Sequence, residues 1–244
     1  LDLASPEGVE ILYKLAATCD VFLTNKMAPV RTKLKIDVDD IRAHNPDIIY
    51  VRGSGQGERG PDAERGSYDS LAYWCRAGVA VGMQQPDDEY APMPPAPAFG
   101  DSIGAMTIAG GIMGALFHRE RTGEATVVDV SLLGAAMWAM GQAFALSLLT
   151  DVPWTPPPEA NMRANPLTAS YLTKDGRYLQ LTCLQAGKYW PPICDAIGRP
   201  ELASDPRFAD HASLMAHNVE AGELLRDAFA ERTLEEWREA LADF

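Results

Sequence analysis

The stretch from residue 20 to residue 55, DVFLTNKMAPVRTKLKIDVDDIRAHNPDIIYVRGSG, decides the fold. Two short apolar runs at its ends, DVFLTN (20–25) and DIIYVRGSG (47–55), stop at turn residues and predict β-strands. Between them, DVDDIRAHNP (37–46) predicts a short helix that Pro46 ends. Because a strand, helix, strand order at this spacing is typical of a parallel sheet covered by helices, we expect an α/β fold.

The predicted sheet also indicates where a ligand would bind. Ligands of parallel sheets gather beyond the carboxyl ends of the strands, which places residues 24–35 and 52–60 at the binding edge. The first segment carries four basic residues and no acid: Lys26, Arg31, Lys33 and Lys35. Charge alone fits a solvated face as well as an anion site, whereas the position at a strand end favours phosphate binding.

Composition limits the classes of protein that fit. The chain has 244 residues, 47% of them hydrophobic, which is enough for one large or two modest globular domains. A net charge of −13 argues against nucleic acid and anionic membranes as partners. The four cysteines show no CxxC spacing, and the first residues show no signal peptide, so we expect a reducing, cytoplasmic setting.

One uncharged segment raises the question of a membrane. SLLGAAMWAMGQAFALSLLT (131–150) has twenty residues, enough to cross a bilayer. Gln142 lies within it, alanine and glycine replace much of the leucine and isoleucine, and no basic residue closely flanks it. We therefore expect a buried or interface-packed helix and no membrane span.

The remaining patterns complete a two-domain layout. A helix begins at Ser5 and Pro6, another covers about 102–117, and a strand follows at 126–133. Further on, a β-hairpin turns at Asp175-Gly176, and Thr233 with Glu236 forms a capping box. The predicted divisions are a large sheet domain at 1–131, a linker helix and proline-rich linker at 132–157, and a smaller α+β domain at 158–244.

Asp101 is the residue with two opposed interpretations. In AFGDSIGAM (98–106) it stands where a helix begins, the place of an N-terminal cap. The same position suits a reagent, because the helix dipole keeps a carboxylate ionised. Gly100 and Gly104 leave room for a substrate carbonyl to approach backbone N–H donors. The pattern alone leaves both interpretations open.

Two other kinds of site are disfavoured. The histidines, His44, His118, His211 and His217, lie far apart without a second ligand at metal-binding spacing, so we expect no metal. No GxSxG motif supports a serine hydrolase, and GSGQGERG (53–60) does not match GxGxxG. It remains a flexible loop in which a ligand can contact backbone N–H groups, including those at Ser54 and Gly55.

Four segments resemble one known family. They are NPDIIYVRGSGQGERGPDAERGSYD (45–69), GDSIGAMTIAGGIMGALFHRERTGEATVVDVSLL (100–133), TKDGRYLQLTC (173–183) and AIGRPELASDPRF (196–208). Together they resemble the class III CoA-transferases over nearly the whole chain. The resemblance implies a Rossmann-like large domain with a smaller domain, in a homodimer whose two chains form interlocked rings.

The chemistry implied by the resemblance is CoA transfer from an acyl-CoA to a carboxylic acid. Asp101 matches the family's nucleophile, which forms a mixed anhydride with the acyl group and then an aspartyl-CoA thioester. Coenzyme A enters as the acyl-CoA substrate, and no metal is implied. Six residues are assigned to CoA binding: Asn25, Lys33, Ser54, Gly55, Tyr68 and Asp69.

Alternatives remain within the resemblance. In the racemase branch of the family a histidine base occupies the position of Tyr68, so the tyrosine favours a transferase over a racemase that uses another base. Met27 stands where a CoA-contacting arginine is usual and Gln56 where an aromatic is usual, which keeps a non-catalytic CoA-binding subunit open. The family's first strand and helix and its long C-terminal segment have no counterpart here, so we expect an internal piece.

Overall fold

The computed structural model describes residues 1–84, 88–155 and 165–242. Within these ranges the chain forms two compact units, one of residues 1–84 and 88–155 and the other of residues 165–242. Residues 156 and 157, at the end of the predicted proline-rich linker, lie outside the described residues. The predicted domain limits stay a prediction.

The first unit is built on a parallel sheet of three strands. They are β1 (Val21–Thr24), β2 (Ile49–Ser54) and β3 (Val127–Ser131), in the order β1-β2-β3. The register pairs Val21 with Ile49 and Ser54 with Ser131, so the carboxyl ends of all three strands meet at one edge. The predicted α/β fold with a parallel sheet is confirmed.

Helices cover this sheet and connect its strands. They are α1 (Pro6–Ala16), α2 (Ala28–Leu34), α3 (Val38–Arg42), α4 (Val79–Met83), α5 (Phe99–Thr122), α6 (Leu132–Ala139) and α7 (Gly141–Thr150), with a π-helical segment at Ser70–Arg76. The start of α1 is as predicted, because the Ser5 hydroxyl accepts the Gly8 N–H at 3.0 Å and Pro6 occupies the first turn.

The long helix α5 runs antiparallel to the strands. Near its C-terminal end, Arg119 donates to the carbonyl of Asp47 at 2.9 Å and to the Asp20 carboxylate at 2.6 Å, at the beginnings of β2 and β1. Nearer its start, Ile108 packs against Gly53 at the end of β2. A Cβ on Gly111 would lie 2.7 Å from Val128 Cγ1, so glycine permits the close packing of helix on strand. The first turn of α5 therefore lies at the carboxyl edge of the sheet.

The predicted single helix at 131–150 is wrong, because α6 and α7 meet at an angle of 66°. Met140 between them has φ −90° and ψ 9°, outside the helical region, and Gly141 follows with its low helix propensity. The predicted burial is also wrong for α7, because none of its described residues is buried. Trp138 on α6 is 89% exposed and Leu148 on α7 is 85% exposed, so interface packing stays a prediction.

Length and apolar composition alone would let α5 cross a bilayer, and α6 with α7 as well if the bent pair formed one span. One or two such helices carry little weight, because a helix that packs on a sheet can have the same composition. α5 is such a helix, since Ile108 and Ala115 pack against β2. The absence of a membrane span stays a prediction.

The second unit is a small α+β assembly. An antiparallel pair, β4 (Ser170–Leu172) and β5 (Tyr178–Gln180), turns through Gly176 at φ 71°, which confirms the predicted hairpin. The predicted capping box of Thr233 and Glu236 is also confirmed. The helices are α8 (Ala186–Ala196), α9 (His211–Ala216), α10 (Asn218–Phe229) and α11 (Leu234–Ala240), with 3-10 turns at Pro166–Thr168 and Pro200–Ser204, around a core that includes Tyr171, Trp190, Phe208, Phe229 and Trp237.

Candidate active site

Asp101 is the third residue of α5 and does not cap it. The helix begins at Phe99, after Ala98 at φ 55°, whose methyl side chain cannot accept a hydrogen bond. The predicted start near residue 102 is therefore three residues late, and the interpretation of Asp101 as the N-terminal cap is wrong. Within the described ranges, no hydrogen bond or ion pair engages the exposed Asp101 carboxylate. It is free to meet a ligand.

The side chain that does cap α5 comes from Asp69. Its Oδ2 accepts the Gly100 N–H at 3.0 Å, across 31 residues of sequence. Gly100 is buried, and a Cβ there would lie closer than 3.0 Å to both Asp69 and Tyr73. Only glycine allows this approach, which explains the glycine of the GD pair by packing.

The position of Asp101 follows from the direction of α5. It precedes Ile108 by seven residues, so the two share one helix face at a spacing of about 10 Å along the axis. Because Ile108 packs on Gly53 near the end of β2, Asp101 lies beyond the carboxyl ends of the strands. This is the predicted binding edge.

The loop after β2 is held on both sides. The Ser54 hydroxyl accepts the Gly57 N–H at 3.1 Å, and the Gly55 carbonyl accepts the Leu133 N–H at 3.0 Å. On its other side, a Cβ on Gly55 would lie 2.5 Å from Cβ of Ser67. Since Ser67 immediately precedes Tyr68 and Asp69, these contacts connect the loop to the start of α5.

The structure thus places most of the predicted residues in one region. Ser54, Gly55, Tyr68 and Asp69 are joined to Asp101 by the contacts above, and the Tyr68 side chain is 81% exposed. Asn25 follows β1 and lies beside the same loop, with its Cβ 4.0 Å from the position of a Cβ on Gly53.

Lys33 is the exception. Its side chain is exposed on α2, and no hydrogen bond or ion pair within the described chain joins it to the other five residues. The link from α2 to this region runs instead through Arg31, which the sequence places in the same basic run as Lys33.

Arg31 is buried, with only 1% of its side chain exposed, and is therefore not available to an anionic ligand. Its guanidinium binds both oxygens of Glu58, at 3.1 and 2.6 Å, and also Asp37 at 3.3 Å. It donates a further bond to the Lys26 carbonyl at 2.8 Å, at the entrance to α2. Inclusion of Arg31 in an exposed basic patch is wrong, and the exposed cations of that run are three lysines, Lys26, Lys33 and Lys35.

A second arginine extends this buried group. Arg52 pairs with both oxygens of Asp129 and lies 3.5 Å from Glu58. Although desolvation opposes the charge on Arg31, the hydrogen bonds and negative charge of Glu58 outweigh it and raise the pKa of that guanidinium. No local sequence pattern indicates this network, since Glu58 lies 27 residues from Arg31 and neither residue belongs to a local motif.

Among the described residues, no group of three or more His, Cys, Asp or Glu side chains is placed to hold a metal ion. The groups that this edge presents are the exposed carboxylate and the N–H groups in the first turn of α5, which have no acceptor within the helix. The Gly100 N–H among them is taken by Asp69.

The sheet edge and Asp101 define an α/β protein with an exposed carboxylate at the carboxyl edge of a parallel sheet, which is the edge where such folds generally bind ligands. The profile of CoA-transferase family III matches residues 1–244. The chain is 31% identical over 243 residues to (R)-2-hydroxy-4-methylpentanoate CoA-transferase of Clostridioides difficile, covering 100% of this chain and 60% of that protein. It is 28% identical over 246 residues to cinnamoyl-CoA:phenyllactate CoA-transferase of Clostridium sporogenes, covering 100% and 59%.

Solved structures of other proteins have the same fold as this chain. The crystal structure of Rv3272 from Mycobacterium tuberculosis superposes with a TM-score of 0.82 at 29% identity, covering 100% of this chain and 63% of that one. A CAIB/BAIF family protein from Brucella suis gives 0.80 at 26% identity, covering 99% and 62%. The chain belongs to CoA-transferase family III. It spans about 60% of the length of the relatives it matches.

Proposed function

We propose that the protein is a CoA-transferase that moves CoA from an acyl-CoA thioester to a carboxylic acid. The observation that carries this proposal is the Asp101 carboxylate, exposed in the first turn of α5 and free of structural hydrogen bonds among the described residues. The relatives described above are named as CoA-transferases of different acids, which supports the reaction class and leaves the acyl group open.

The proposed reaction proceeds through covalent intermediates on Asp101. Its carboxylate attacks the thioester carbonyl, the carbon–sulfur bond breaks, and a mixed anhydride and CoA thiolate form. The thiolate then attacks the Asp101 carbonyl, which releases the donor acid and leaves an aspartyl-CoA thioester. The acceptor carboxylate attacks that thioester, the carbon–sulfur bond breaks, and a second mixed anhydride and CoA thiolate form. The thiolate then attacks the acceptor carbonyl of this anhydride, which gives the acceptor acyl-CoA and regenerates the Asp101 carboxylate.

Each of these steps places negative charge on a carbonyl oxygen, either that of Asp101 itself or that of the acyl group at Asp101. The free N–H groups and the dipole at the start of α5 favour such charge, because they are already oriented when the reaction begins. One thioester is exchanged for another, so no oxidant, metal or external energy source is required.

For CoA binding we propose the loop after β2 and the residues beside it. Asn25, Ser54, Gly55 and Tyr68 belong to the carboxyl edge, and Lys33 would contribute charge toward the nucleotide phosphates. Met27 precedes α2 and supplies no guanidinium, so the neighbouring lysines are the cations available there.

We also propose a homodimer of the interlocked kind and a cytoplasmic location. Support for the homodimer comes from exposed apolar side chains on the helices of the first unit: Met106, Met113, Phe117, Trp138 and Leu148. All four cysteines are free thiols, which fits a reducing compartment.

An isotope assay tests the function. The full-length gene product is incubated with an acyl-CoA and a labelled carboxylic acid, with 2-hydroxy, aryl and dicarboxylic acids compared in turn. Label should appear in the acyl-CoA pool without net hydrolysis. Exchange of the α-proton with deuterium but no transfer would indicate the racemase alternative, and binding of CoA without turnover would indicate a non-catalytic subunit.

A charge reversal tests the role of Lys33. Lys33→Glu should weaken CoA binding by about 1–2 kcal/mol, or about 5- to 30-fold. A partly exposed ion pair between Lys33 and a phosphate contributes little binding energy, but the glutamate would also repel that phosphate. Calorimetric titration with CoA measures the change. Lys14→Glu is the matched control, since Lys14 is 71% exposed on α1 and should leave affinity unchanged. Equal CoA affinity of the Lys33 variant and the parent would show that Lys33 is a solvated surface residue with no part in CoA binding.

A further inference from the structure

We propose that Asp69 is a positioning residue, which caps α5 from outside the helix and so orients the Asp101 carboxylate. This inference rests on the proposed function and replaces CoA binding as the role of Asp69. At the start of α5, Ala98 offers no side-chain acceptor. Among the described residues, Asp69 supplies the one side-chain hydrogen bond to a first-turn N–H group.

Asp69 is itself held in place by its surroundings. It directly precedes the π-helical segment Ser70–Arg76, whose Ala72, Tyr73 and Trp74 are buried. The Tyr73 ring meets the Phe99 ring edge to face, with centroids 6.1 Å apart, so the segment and the first turn of α5 pack together. Burial, and next the negative charge of Asp69, raise the pKa of Tyr73.

The hydrogen bond from Gly100 to Asp69 lies one peptide group away from Asp101. The Gly100 N–H bonded to Asp69 belongs to the residue immediately before Asp101. With Gly100 closed in by Asp69 and Tyr73, the backbone at this point has little freedom to rotate. The direction of the Asp101 side chain is therefore set by Asp69, and loss of the bond would let the first turn fray.

Paired variants distinguish positioning from CoA binding. Asp69→Asn keeps an oxygen that can accept the Gly100 N–H, so kcat should stay within about threefold, since Asn and Asp cap helices about equally well. Asp69→Ala removes the acceptor and should lower kcat by about 10- to 100-fold, with KM for the acyl-CoA unchanged within about twofold. Glu64→Gln, an exposed carboxylate nearby in sequence, is the control that should change neither value.

A second measurement is independent of activity. Hydrogen exchange of a peptide covering residues 98–104 should be faster in Asp69→Ala than in the parent and Asp69→Asn, and it can be read even if the parent transfers no CoA. Faster exchange in Asp69→Ala, in a parent protein that transfers no CoA, would support the cap by Asp69 and reject the proposed function. Unchanged kcat and exchange in Asp69→Ala would overturn the proposal, as would a raised KM with equal losses in both variants.

Discussion

Asp101→Asn should lower the rate of CoA transfer by about 10⁴-fold or more while leaving the fold intact. The amide cannot form the anhydride, because it has no negatively charged oxygen to attack the thioester carbonyl. Stability should change by no more than about 1 kcal/mol, because the exposed carboxylate makes no hydrogen bond in the described chain and the amide loses only the interaction of the charge with the helix dipole. Transfer assays and urea unfolding on the same samples measure the two effects.

The structure also changes the expectation for alanine at this position. A cap residue replaced by alanine costs about 1 kcal/mol, but here Asp69 caps the helix. Asp101→Ala should therefore lose only the interaction of a first-turn charge with the helix dipole, at most about 1 kcal/mol and less with added salt. Activity should be lost as fully as with asparagine.

The control and the chemical test complete this experiment. Glu120→Gln makes the same carboxylate-to-amide change on an exposed residue near the other end of α5 and should leave transfer unchanged. Hydroxylamine added during turnover should convert the activated carboxylate to a hydroxamate that mass spectrometry locates on the peptide with Asp101. A fully active asparagine variant, with no adduct on that peptide, would refute the role of Asp101 as nucleophile.

Arg31→Met should lower the free energy of unfolding by about 3 kcal/mol, as expected when a buried ion pair loses one partner. Glu58, with 16% of its side chain exposed, would keep only Arg52, whose nearest nitrogen is 3.5 Å away. Because Glu58 keeps this second partner and some exposure to water, the expected loss of stability lies at the lower end of the range for buried ion pairs. Guanidinium chloride unfolding measures it.

A double variant separates the lost pair from a general disruption. Arg31→Met combined with Glu58→Leu should recover much of the stability, because neither charge is then buried without its partner. Lys33→Met, an exposed change on the same helix, should stay within about 0.5 kcal/mol of the parent. If Arg31→Met lost less than about 1 kcal/mol, the pair would contribute no more than a surface salt bridge.

Local patterns predicted what local contacts determine. Ser5 caps α1 through a residue three positions away, and Thr233 with Glu236 closes the capping box over the same distance. The hairpin turn at Gly176 depends on the backbone freedom of that residue, which its identity alone reveals. The parallel sheet followed from the order and spacing of its apolar runs.

The sequence by itself therefore determined the α/β class and placed Asp101 at a helix start. Only the tertiary structure decided which carboxylate caps that helix and which cation of the basic run is buried. Both answers depend on partners distant in sequence, Asp69 for Gly100 at 31 residues and Glu58 for Arg31 at 27. Such distant pairs produce no periodicity or fixed spacing in the sequence, because only folding brings the two residues together. Burial then decides which charged side chains stabilise the fold and which stay exposed and able to react.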